Sequence, residues 1–115
     1  MLNHQSALDG VFHALADPTR RAIVQHLSRG QASVSEVAKP LCMTLAGVVQ
    51  HIQVLEQCGV IRTHKEGRVR TCRVEPKALA LVEQWVAARR GSWEKHFDRL
   101  GAMFEEEAAS KKERS

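Results

Sequence analysis

The chain has no Tyr, two Trp, three Phe, three Cys and three Pro in its 115 residues. With so few aromatics, its core must be built from Leu, Val, Ile and Ala. The cysteines, Cys42, Cys58 and Cys72, are odd in number and widely spaced, which excludes a disulfide framework and a zinc ribbon. No apolar run approaches the roughly 20 residues that a bilayer-spanning helix needs. The opening stretch, MLNHQSALDG, lacks the basic n-region and apolar h-region of a secretory signal. These absences predict a cytoplasmic protein with reduced thiols. Enzymatic signatures are missing too: no G-x-S-x-G, phosphate loop, His-Glu-x-x-His or nucleophile–base pair. A non-enzyme is expected, with no cofactor and no metal ligands.

What is present is ordinary in amount and uneven in placement. Hydrophobic residues at 43% and charged residues at 26% give a globular balance, and the length suits one domain with a modest core. The formal net charge of +4 favours a polyanionic partner. That charge is concentrated: Arg62, Lys65, Arg68, Arg70 and Arg73 crowd residues 62–73, against a single acid, Glu66.

Apolar periodicity and capping residues divide the chain. Leu8, Val11, Phe12 and Leu15 mark an amphipathic helix ending near Ala16. Asp17-Pro18 restarts the chain, with Asp as N-cap and Pro at the first helical position, where its missing N–H is harmless. This second helix runs through Ile23, Val24 and Leu27 to Gly30. Positive charge near a helix N-terminus is unfavourable, so Arg20 and Arg21 call for a partner, either Asp17, which is preferred, or a phosphate. The run SVSE at 33–36 is a capping box and opens a short helix with Val34 and Val37 inward, closed by Pro40.

A tight turn then leads to TLAGVVQHIQVLEQCG at 44–59. Val48, Ile52 and Leu55 recur at i, i+4 and i+7, Thr44 suits the N-cap and Gly59 the left-handed C-cap. Two short helices joined this tightly predict a helix-turn-helix. The outer face of the second carries Ala46, Gly47, Val49, Gln50 and Gln53, none of them charged, which suits close contact with another surface. In a major groove, Gln50 and Gln53 can pair with adenine and Val49 can meet a thymine methyl. Thr44 is placed for a phosphate at the helix N-terminus. His51 is read either as a backbone contact or as a packed structural residue.

After Gly59 the period changes to two. RTHK and RVRTCRV predict a basic hairpin, with Lys65 and Arg68 flanking its turn as phosphate contacts and Arg70 sharing a face with Arg68. Pro76 begins a long helix. Leu79, Val82, Val86, Trp93, Phe97, Leu100 and Phe104 recur at steps of three and four, broken at Arg89, with Trp85 alongside, which resembles a coiled-coil seam. About thirty residues of helix would run roughly 45 Å, more than one small domain covers, so a second copy of the chain is expected on it. Leu8, Phe12, Trp85, Trp93, Phe97, Leu100 and Phe104 are the expected dimer interface. Residues 105–115 are expected to form a charged, frayed tail.

The order of helix-turn-helix, basic hairpin and flanking helices resembles the ArsR/SmtB family of bacterial winged-helix repressors. The likeness spans roughly 8–104 and rests on LADPTRRAIVQHL (15–27), VSEVA (34–38), VVQHIQVLEQCGVI (48–61) and GRVRTCRV (67–74). It implies a mainly α fold with a small β-hairpin, a winged helix-turn-helix whose long N- and C-terminal helices form the dimer interface. It further implies a homodimer that binds double-stranded DNA at an inverted-repeat operator and leaves on a signal. Metal-sensing members carry a Cys-x-Cys box where residues 33–38 here have neither Cys nor His. The last helix offers His96 near Glu94 and Asp98 without a second His, and no cysteine pair matches that of persulfide sensors. The likeness therefore implies the DNA-binding role and leaves the effector unassigned, with a metal site assembled across a dimer still open. Two alternatives stand beside it: a winged-helix module that binds protein, and a redox-responsive regulator using Cys42.

Overall fold

The computed structural model describes residues 4–114, in the order α1 (His4–Leu15), α2 (Pro18–Leu27), β1 (Ala32–Ser33), α3 (Val34–Ala38), α4 (Leu45–Gln57), β2 (Ile61–Glu66), β3 (Val69–Val74) and α5 (Pro76–Arg114). The starts of α2, α3 and α4 are chemically marked. Asp17 accepts the Arg20 amide at 3.0 Å, with Pro18 opening α2. Ser33 and Glu36 exchange side-chain and backbone bonds at 3.2 Å each. Thr44 Oγ1 accepts the Gly47 amide at 3.1 Å. Each such cap satisfies an amide that has no partner inside its helix and is worth about 1 kcal/mol.

The strands form a three-stranded antiparallel sheet in the order β1-β3-β2. The sequence pattern predicts only the hairpin. The third strand pairs Ala32 with Cys72 and Ser33 with Thr71, and two residues are too few to show an alternating pattern. Glu66 pairs with Val69, leaving Gly67-Arg68 as a two-residue turn. Gly67 has φ 62°, the left-handed value that such a turn asks of its first residue and that glycine adopts freely.

Two compact units divide the chain after Val82. The first is organised around Val11, Ile23, Val37, Val48, Leu55, Val60, Ile61 and Cys72, all under 2% exposed, with Ala78 at the start of α5 also buried. No aromatic side chain belongs to this core, in line with the composition. Burial pushes the Cys72 thiol up from its ordinary range, the Glu56 carboxylate adding to the effect and Arg70 opposing it. Cys72 therefore stays a neutral thiol and behaves as a small hydrophobe.

The second unit, from Glu83 onward, is the remainder of α5. Trp93 stacks on Phe97 with ring centroids 5.7 Å apart, and the Arg89 guanidinium lies 5.1 Å from the Trp85 ring centroid. The helix continues through Glu105, where a frayed tail is expected from the sequence, to Arg114. That stretch contains neither Gly nor Pro and is rich in Glu, Ala and Lys, all good helix formers. Glu107 precedes Lys111 by four residues, the favourable orientation for an ion pair along a helix.

Candidate nucleic-acid interface

α4 carries a buried row and an open face. Val48, Ile52 and Leu55 are buried, Ala46, Gln50 and Gln53 are exposed, and Val49 is half-buried between the two sets. Thr44 is exposed at the N-cap. Gly47 has a local reason of its own: a Cβ there would lie 3.2 Å from the capping Thr44 Oγ1 and 3.0 Å from Met43 Cε. Between Lys39 and Glu56 the sequence contains no Asp, Glu, Lys or Arg.

His51 leaves this face. Its Nδ1 lies 3.3 Å from Arg20 Nη1 and 4.0 Å from the Asp17 carboxylate, so the ring sits at the junction with α2. The ring is packed at this junction, with its side chain 22% exposed. Asp17 is only part of the partnership of Arg20. It accepts the Arg20 backbone amide and feels the nearby Arg20 charge. The Arg20 guanidinium donates to the carbonyls of Ala14 at 2.7 Å and His13 at 3.2 Å, and Arg21 donates to that of Leu15 at 2.7 Å. The C-terminus of α1 leaves carbonyls over, and two cations bond to them, joining the Ala16 amide at the His13 carbonyl.

The hairpin register sorts the basic residues into two sets. Lys65 stands opposite Arg70, and Arg62 opposite Arg73 three positions along, on the other face. Arg62 donates from Nε to Glu75 at 3.1 Å, which offsets the repulsion of two like charges facing each other across strands. On the α4 side, Arg70 Nη1 donates to Thr63 Oγ1 at 2.8 Å, and that hydroxyl donates to Glu56 at 2.5 Å. The Thr63 amide also donates to the Glu56 carboxylate, at 3.1 Å. The chain Arg70–Thr63–Glu56 thus fastens the hairpin to α4.

Between them lies an open cleft of about 550 Å³. α4 contributes Leu45, Val49, Gln53 and Glu56, the hairpin contributes Thr63, Lys65, Arg68, Val69 and Arg70, and α3 with its N-cap contributes Ser33 to Ser35. Lys65, Arg68 and Arg70, singled out in the sequence, therefore share one opening with Val49 and Gln53. Leu45, Glu56, Thr63 and Val69 were not singled out. Glu56 and Thr63 come together only through the hairpin register, which no local motif shows.

Among the described residues, no group of three or more His, Cys, Asp or Glu side chains is placed to hold a metal ion. Nor, among them, is any helix long and apolar enough to cross a membrane.

Comparison with known proteins agrees with this arrangement. A helix-turn-helix domain family matches residues 15–64. The crystal structure of an ArsR family transcriptional regulator, RHA00566, is 52% identical with a TM-score of 0.74, over 82% of this chain and 97% of that one. The HTH-type transcriptional regulator Rv2034 of Mycobacterium tuberculosis is 38% identical over 74 residues, 64% of this chain and 69% of its own. The transcriptional repressor SdpR of Bacillus subtilis is 31% identical over 61 residues, 53% of this chain and 68% of its own. The chain belongs to the ArsR family of winged helix-turn-helix regulators and is a DNA-binding transcriptional regulator.

Proposed function

We propose that this regulator is a homodimeric repressor that sets the N-terminal half of α4 in a major groove and grips the flanking phosphates with its hairpin. The shared cleft carries the reading. Val49 and Gln53 of the uncharged α4 face line one opening with the cations Lys65, Arg68 and Arg70, and Ala46 and Gln50 are exposed on the same helix outside that opening, so neighbouring surfaces can take base edges and phosphates together. Thr44 and the first amides of α4 suit a phosphate, and Gln50 and Gln53 suit adenine edges. Ala46 and Gly47 allow the helix to approach closely, and Arg68 at the hairpin turn suits the outermost phosphate.

Dimerisation is supported by apolar side chains left in water. Phe12 on α1 and Trp85, Trp93, Phe97 and Phe104 on α5 are all more than 40% exposed, with Leu8 and Leu100 half-buried. Residues 1–104 would supply both DNA binding and dimerisation. Two copies related by a two-fold axis would present their α4 helices about 34 Å apart, one turn of DNA, and so read an inverted repeat. A bound dimer would exclude polymerase from the promoter, in keeping with the name of SdpR as a repressor, until a signal turns the two helices out of that spacing.

Selection of bound duplexes from a random library, read at two salt concentrations, tests the proposal. An inverted repeat is expected, with affinity falling about 10³- to 10⁵-fold between about 50 and 200 mM salt if six to ten phosphates are contacted. A lone half-site would overturn the dimer. No preferred sequence and no salt dependence would overturn the DNA interface and favour a protein partner.

A further inference from the structure

Leu45 occupies a place that periodicity alone would bury. It extends the row Val48, Ile52, Leu55 by one step of three, yet those residues are at most 3% exposed and Leu45 is 57% exposed. No large apolar side chain of α1–α4 or the sheet is more exposed among the described residues. The first turn of α4 runs past the edge of the core, so the row that seals the interior emerges as surface. Leu45 has no part in capping, which Thr44 and Gly47 perform. Val49, one turn on, lines the same cleft, and Ala46 is exposed beside it.

The residues that reach base edges from a recognition helix are those near its N-terminus. Here that turn offers carbon, with no charged group before Glu56. Of the groups that the four bases show in the major groove, the thymine C5-methyl is the apolar one. We infer that Leu45, flanked by Ala46 and Val49, reads thymine methyl groups, so that operator preference depends on where thymines stand as well as on hydrogen bonds. The inference rests on the DNA-binding reading above and adds a specificity-determining residue to it.

Deoxyuridine differs from thymidine by that methyl alone and keeps every Watson–Crick and major-groove hydrogen-bonding group. The full chain should be titrated with the selected duplex and with copies carrying deoxyuridine at one thymine at a time. At least one thymine in each half-site should cost the parent about fourfold in affinity on losing its methyl, the worth of removing one methyl-sized group from water. Leu45→Ala should unfold at the same urea midpoint as the parent, because the side chain lies outside the core, and should show no penalty at that thymine. Two results would overturn the inference while the DNA reading stands. One is a fully deoxyuridine-substituted operator that is bound and discriminated as well as the original; the other is an equal penalty in Leu45→Ala and the parent. Failure to select any preferred duplex would remove the DNA reading and the inference together.

Discussion

Asp17 accepts the Arg20 amide, and that hydrogen bond holds its carboxyl below the usual carboxylate range, with His51 and Arg20 nearby adding to the effect. Glu36 is lowered in the same way by the Ser33 amide and hydroxyl. A carboxyl whose folded value lies below its unfolded one stabilises the fold fully above the unfolded value, about 4. That contribution disappears as pH falls through the folded value. Asp17→Asn keeps an equally good N-cap without a titrating charge. Urea unfolding at about pH 7 and about pH 3 should therefore show a smaller acid loss for Asp17→Asn than for the parent. An equal loss in the two proteins would mean that the Asp17 cap does not titrate. All three caps were legible in the sequence, because a cap and its amide lie within one helical turn. The destination of the Arg20 side chain was not, since it depends on where the C-terminus of a different helix comes to rest.

α1 and α2 meet through that side chain. Arg20 closes two carbonyls of α1 while its guanidinium lies against His51 of α4, so one residue fastens three helices. Arg20→Met keeps the length of the stem but none of the donors. It should lower unfolding stability by about 1.5–3 kcal/mol, the range for hydrogen bonds to a charged group. Arg21→Met, which loses one exposed bond, should cost less than about 1 kcal/mol; equal losses would show that Arg20 has no joining role. The helix-turn-helix and the hairpin were legible because both write their period and their punctuation into short stretches. β1 was not, being only two residues long and defined by its partner β3. Of the cleft, Lys65, Arg68, Arg70, Val49 and Gln53 were visible as charge and as an uncharged face. Leu45 was hidden because it keeps the step of a buried row, and Glu56 and Thr63 because only the hairpin register brings them together.

For the molecule as a whole, the exposed aromatic ladder of α5 is the surface on which the proposed dimer depends. Phe97 is 61% exposed and stacks on Trp93 within its own helix, so a charge there should leave the first unit folded and disrupt the proposed dimer. Sedimentation equilibrium of Phe97→Glu should give a monomer where the parent gives a dimer, with affinity for the full inverted repeat falling to that for one half-site. A Phe97→Glu dimer of unchanged affinity would remove this helix from the interface.

The division of labour across the cleft has a consequence for discrimination inside a cell. In the proposed complex, the cations of the hairpin displace counterions from any duplex they touch, whereas α4 meets the bases with carbon and amides and displaces none. A rise in ionic strength then weakens the hold on the operator and on the surrounding genome by nearly the same factor. The ratio between the two stays almost constant, so the regulator's share of time on its own site is set by thymines and amides and barely follows the changing ion content of the cytoplasm.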